Sequence, residues 1–307
     1  MGNNFGTKNG RLLAQMVLSN LMVHPMFSAI STNFSGAHNG QRLKFGQDVD
    51  VRLITAGTVD DWTEAAGYEA SDSADTNATV NINQHKHISR NLTVEEAFGR
   101  DGTVLADYAA VDANALANEV MTDLIGVVKA PGIAIGDQKS IIALGAFGHD
   151  AAVDVNGELD DRDVTDVGRF GVVTGKYHGA LRKDATVIDG DKNTGTDAIR
   201  SGKITTVDGV PFIKYPKFPD NGENLEGIVG TKDSLAIATI LPDLANLPDG
   251  IDIPVDGKLS VATDPSGLSI LVVEQIDLKK GNIYVSMRIM YGVALGKKEN
   301  IQKIASA

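Results

Sequence analysis

Along residues 104–128 (VLADYAAVDANALANEVMTDLIGVV), apolar side chains recur every three to four positions, at Val104, Tyr108, Val111, Leu116, Val120, Leu124 and Val127. That spacing predicts one stripe along a helix, roughly 37 Å long at about 1.5 Å per residue. Ala106, Ala109, Ala110, Ala113, Ala115 and Ala117 favour helix and allow close approach of other backbones. Asp101 and Thr103 stand where a cap is needed, and Pro131-Gly132 ends the pattern. Asp112, Glu119 and Asp123 read as a solvated face, and nothing on the helix suggests catalysis. It is a scaffold element.

Upstream, residues 1–10 carry no pattern and read as an arm, and residues 11–23 (RLLAQMVLSNLMV) as a short docking helix closed by Pro25. From Gln41 the period becomes two: Val49, Val51 and Leu53 alternate with Asp48, Asp50 and Arg52. A second alternating run covers residues 79–92, through Val80, Ile82, His85, His87 and Ile88. Between them lies a polar, acidic tip around a single tryptophan, Trp62. Two long strands and this tip predict a long hairpin, which is marginal in water unless it lies on a neighbour. His85 and His87 share one side of their strand, but no further ligand for a metal stands nearby, so a solvent-facing or contact-forming strand is expected.

Downstream, residues 138–147 are apolar and Gly-punctuated, and residues 149–166 are rich in acid. DVNGELDDRD and residues 189–197 are loosely similar to calcium loops. In the second, Thr194 and Arg200 occupy the positions that need Gly and Glu, so acid-rich turns are expected. RFGVVT (169–174) predicts a strand, KYHGALRK (176–183) a short helix, and ITTVDGVPFIKY (204–215) two strands about an Asp208-Gly209 turn. GIVGT is a strand, and SLAIATI a strand or short helix, in an α/β layer. LSILVVEQIDL (268–278) and NIYVSMRIMYGVAL (282–295) pair across Lys279-Lys280-Gly281, and a polar tail with Lys297, Lys298 and residues 301–304 follows.

Composition adds exclusions. With no cysteine among 307 residues, disulfides, thiolate metal sites and cysteine nucleophiles are ruled out. A net charge of -12 argues against tight binding of duplex over a broad surface. No secretory signal and no apolar run of membrane-spanning length occurs, and the sequons at Asn33, Asn77 and Asn91 are chance matches. Phosphate loops, dinucleotide fingerprints, nucleophile elbows and H-E-x-x-H are all missing. No enzyme, cofactor, metal or membrane partner is expected.

The order of arm, short helix, hairpin, long helix, α/β layer and returning strands resembles the major capsid protein of tailed bacteriophages, the Hong-Kong-97-type coat fold shared with encapsulin shells. GQDVDVRLI and ATVNINQHKHISRNLTVEEAF correspond to the two sides of its extended loop, and residues 104–128 to its spine. DRDVTDVGRFGVVTGKYHGAL is similar to its helix, Arg-headed strand and following helix. IRSGKITTVDGVPFIKYPKFP is similar to its G-x-I-x-x-V-x-G-V-P-F hairpin, and LVVEQIDLKKGNIYVSMRIMYGVALGKKENIQKI to its closing strands. The resemblance implies an α+β fold in five parts: arm and short helix (1–40), extended loop (41–92), spine and peripheral region (93–134), axial α/β domain (135–250), and returning strands with tail (251–307). It implies hexamers and pentamers of an icosahedral virion shell, formed in the host bacterial cytoplasm around double-stranded DNA that is not read by sequence. Portal protein, and scaffolding supplied separately if at all, are the other expected partners. The tip residues Asp60, Asp61, Trp62, Glu64, Tyr68, Glu69, Asp72 and Asp75 then suit basic residues of an adjacent subunit such as Arg42, Lys44 and Arg52. An encapsulin-type compartment with protein cargo, and a calcium-dependent surface-binding module, stay open beside it.

Overall fold

The computed structural model describes residues 32–33, 46–53, 61–64, 76–93, 103–129, 138–184, 206–218, 224–240, 257–263, 269–277 and 280–306. In chain order the elements are β1 (Thr32–Asn33), β2 (Asp48–Leu53), β3 (Thr76–Asn81), β4 (Gln84–Thr93), α1 (Thr103–Gly126), β5 (Lys139–Ile141), α2 (His149–Asp160), β6 (Arg169–Val173), α3 (Gly175–Leu181), β7 (Phe212–Lys214), β8 (Leu225–Thr231), β9 (Leu235–Ile240), β10 (Gly257–Thr263), β11 (Ser269–Asp277), β12 (Asn282–Leu295) and β13 (Ile301–Ala305). The class is mixed α+β.

One six-stranded sheet runs β1-β9-β12-β11-β10, with β4 also on β12; a five-stranded sheet runs β5-β13-β8-β6-β7; β2 and β3 form a separate ribbon. Helix α1, 24 residues long, continues as a 3-10 turn over Val127–Lys129, close to the expected 104–128. It packs on both large sheets. Its Leu116, Val120, Met121, Leu124 and Ile125 share one core with Ile237, Val272, Met287 and Tyr291 of the six-stranded sheet and with Phe170, Val172, Ile228 and Ile301 of the five-stranded one. Tyr215, beside β7, donates its hydroxyl to the Asn118 carbonyl at 2.8 Å and ties the second sheet to the helix.

The buried stripe is wider than the periodicity predicts, and rotated. Val111 is 62 % exposed, because it lies about 140° around the helix from Leu116. Asp112, expected in solvent, stands four residues before Leu116 on the covered side and is 4 % exposed. Leu124 is fully buried in this shared core. Leu124→Ala is expected to cost about 2–5 kcal/mol through lost burial and the cavity left behind. Urea unfolding measures it, and a wild-type midpoint would mean that the helix is not packed as described.

The second run of the hairpin is not one strand. Asn83 donates to Asn81 across a tight turn at 3.1 Å, so the chain breaks between β3 and β4. Strand β3 pairs with β2, whereas β4 pairs with β12 along its whole length, from Gln84↔Tyr291 to Thr93↔Asn282. Even-numbered residues point inward on both sides of the break but meet different layers: Ala78, Val80 and Ile82 the ribbon's core, Ile88 that of α1. Period two alone cannot mark such a change of partner.

Three further expectations change. The supposed tail is β13, buried throughout, inserted between β5 and β8. SLAIATI is strand β9, and it joins β12 rather than the α/β layer, so the sheets cross the sequence boundaries at 250 and 251. DVNGELD lies within helix α2, whose Ala152, Val155 and Leu159 are buried, so it is neither a turn nor a calcium loop. The Asp208-Gly209 turn forms as expected: both residues have positive φ (49° and 76°), and Val207 and Val210 exchange hydrogen bonds of 2.9 Å. The strand after it, β7, then pairs parallel with β6 instead of extending that hairpin.

Candidate assembly surfaces

Of the proposed contact residues, Asp61, Trp62 and Glu64 are described and exposed, Trp62 at 59 %. Arg52 lies on β2 opposite Asn77. Arg42, Lys44, Asp60, Tyr68, Glu69, Asp72 and Asp75, like the expected short helix at 11–23 and residues 189–197, lie outside the described residues.

The root of the hairpin is fixed on its own chain. Val49, Ala78, Val80 and Ile82 pack on Ala236, Ala238 and Ile240 of β9, with Met290 and Ala294 of β12 beside them. The ribbon covers the face of the six-stranded sheet opposite α1. Gly292 is what permits this approach, since a Cβ there would lie 2.2 Å from the Asn81 carbonyl oxygen. The ribbon's outer side is polar: Thr79 donates to Asp50 at 2.8 Å and Asn81 to Asp48 at 2.5 Å. The expectation of a hairpin acting only between subunits therefore narrows to its tip.

The residues that sequence reasoning missed join β4 to α1. Lys86 and Arg90, two strand repeats apart, point at the helix. Arg90 grips the buried Asp112 in a bidentate pair, both bonds at 2.5 Å, and stacks 4.4 Å from the centre of the Tyr108 ring. Lys86 reaches Glu119 at 3.0 Å and Asp123 at 3.4 Å. The hydrogen bond to Glu119 raises the Lys86 pKa, and that to Asp112 raises the pKa of Arg90. Tyr291 completes the row by donating to Asp123 at 2.5 Å; burial, then this bond, pushes its pKa far up. The available signal was spacing: Asp112, Glu119 and Asp123 stand seven and four residues apart on one helix face, matching cations at alternate strand positions.

His85 and His87 face outward on β4, exposed, with ring centres 6.4 Å apart. Among the described residues no three His, Asp or Glu side chains gather to hold a metal ion. No described helix is long and apolar enough to cross a membrane.

Arg169, heading β6, is the buried hub of the five-stranded layer. Its Nη1 donates to the Asn156 side-chain oxygen at 2.6 Å, its Nε to the Thr165 carbonyl at 3.1 Å, and its Nη2 to the Val164 carbonyl. Nη2 also meets Asp160 at 2.6 Å and Asp166 at 3.0 Å. These bonds lock α2 and the loop after it onto the strand.

No protein-family model and no curated protein matches the sequence. Solved structures do match. A chain from the capsid of Cyanophage P-SCSP1u aligns over 92% of this chain and 88% of its own, with a TM-score of 0.59 and 14% identity. A chain from Mycobacterium phage Che8 aligns over 91% and 90%, at 0.55 and 16%. A chain from the mature capsid of bacteriophage PhiM1 aligns over 85% and 82%, at 0.54 and 11%. Along nearly its whole length, this chain has the fold of bacteriophage capsid proteins.

Proposed function

We propose that this protein is the major capsid protein of a tailed phage, assembling into the hexamers and pentamers of an icosahedral shell around double-stranded DNA. The observation that carries the reading is the fold match across 92% of this chain and 88% of a phage capsid chain. The mixed α+β architecture is consistent with it. Helix α1 is the spine, the β2–β3 ribbon the root of the extended loop, and the five-stranded layer with α2 and α3 the axial domain. The arm and short helix are assigned to residues 1–40, as the resemblance implies. A net charge of -12 suits a container that must not clamp the polyanion it holds. On this reading the protein acts in the virion, assembles in the host cytoplasm, works with a portal and any separate scaffolding protein, and catalyses nothing.

No feature of the described residues favours the cargo-holding encapsulin alternative; a protein cargo inside purified shells would revive it. Negative-stain electron microscopy and sedimentation of the purified chain test the proposal. Uniform icosahedral shells, or hexameric and pentameric rings, are expected. A monomer at high concentration, in the presence of crude phage lysate as well as alone, would refute it.

A further inference from the structure

The helical layer outside the five-stranded sheet carries two unlike faces. On α2 and its cap, Asp150, Asp154, Glu158 and Asp161 are exposed and fall at four-, four- and three-residue steps, a single stripe. On α3 and just after it, Lys176, Arg182 and Lys183 are exposed. Lys214 of β7 adds to them, since a Cβ on Gly175 would lie 3.2 Å from its Cε. Helix α2 crosses β13 and β8, whereas α3 lies over β7, so the faces occupy different parts of one layer.

The charges do not neutralise each other within the chain. Among the described residues, Lys176, Arg182, Lys183 and Lys214 form no ion pair, and neither do Asp154, Glu158 and Asp161. Beside α3 opens a cleft of about 660 Å³ lined by Leu144, Ala146, Gly179 and Ala180 together with Lys176 and Lys183; Asp184 also lines it, its carboxylate accepting from the His149 backbone N–H at 2.7 Å. Leu144 is 42% exposed there, and Val167, past the end of the acidic stripe, is 82% exposed. A cleft lined by lysines and apolar side chains fits an acidic helix followed by an apolar side chain, and this chain presents such a helix. A net charge of -12 disfavours a nucleic acid as the occupant.

We propose that the cleft beside α3 receives α2 of a second copy of this chain, its acidic stripe lying on Lys176, Arg182 and Lys183 and its Val167 entering beside Leu144. The two faces differ, so the contact is heterologous and repeats head to tail until it closes a ring. The proposal rests on the capsid reading and says which surfaces meet around the ring.

Two measurements test it. Lys176→Glu with Lys183→Glu is expected to lower the yield of sedimenting shells about tenfold, several weak exposed pairs being lost at every contact of the lattice. The circular-dichroism melt should not change. Adding Asp154→Lys and Glu158→Lys to the same chain should restore shells. Independently, the cysteine-free background allows Asp154→Cys and Lys183→Cys to be placed together. A bismaleimide should then produce a covalent ladder beyond the dimer, which neither single variant gives. Shells unaffected by the reversal, a swap that fails to restore them, or crosslinks absent or ending at dimer would overturn this contact while wild-type shells leave the capsid reading standing. A wild-type chain that forms no assembly would overturn both.

Discussion

Arg169→Met is expected to destabilise the protein by about 3 kcal/mol or more, an effect as large as that of emptying the core at Leu124. The methionine retains the length of the side chain and most of its packing, so the loss isolates the guanidinium. Asp160 and Asp166 are more than half exposed and simply rehydrate. The Val164 carbonyl and the Asn156 side chain, itself 6 % exposed, have no such escape. Each buried polar group left without its partner costs about 1–3 kcal/mol. Arg169→Lys keeps the charge but not the fork, so it should recover only part of the loss. Urea midpoints of the three proteins decide the matter; equal midpoints would show that this residue does not hold α2 to β6.

Deleting residues 59–75 is expected to abolish shell formation while leaving the melting transition of the subunit essentially unchanged. The tip offers only Val59, Trp62 and Tyr68 as large apolar groups, too few to build a core of its own. The described part, residues 61–64, is exposed. Below it the ribbon is anchored by Val49, Ala78, Val80 and Ile82, which the deletion spares. Hydrogen exchange on dissociated subunits and on shells should show protection rising on assembly at the tip far more than in α1 or β3. A truncated chain that still forms stable shells, or a tip equally protected in both states, would remove the tip from the contact. Raising salt should weaken wild-type shells, because exposed ion pairs between subunits are screened.

What could be read from sequence follows from how strongly each stretch constrains itself. Residues 104–128 declare α1 because the helical period persists over many turns, and Asp208-Gly209 and Lys280-Gly281 declare turns because backbone geometry at those sites favours glycine. The break at Ile82-Asn83 stays hidden, since alternation continues in phase while the partner changes from β2 to β12. Strand β13 reads as a tail because Gln302 and Lys303 are polar; Gln302 is tolerated inside because Arg162 donates to it at 2.8 Å and it donates to Ser140 at 2.9 Å. The acids of α1 read as solvated because their cations, Lys86 and Arg90, come from a separate strand. On the capsid reading the tip meets other copies of the chain, so its residues carry composition but no local pattern.

The insertion of β13 between β5 and β8 sets a clock on synthesis. Gln302 meets Ser140 across 162 residues of chain, so β5 has emerged from the ribosome long before the strand that pairs with it. At about 5–20 residues per second, that delay is roughly 8–30 s. Until β13 arrives, β5 has no strand to join it to β8, and α2 lacks Ile304, part of the floor it packs on. Such distant pairing also slows folding once the strand arrives. On the capsid reading proposed above, a nascent chain therefore offers no finished contact surface on this layer until β13 has emerged and paired.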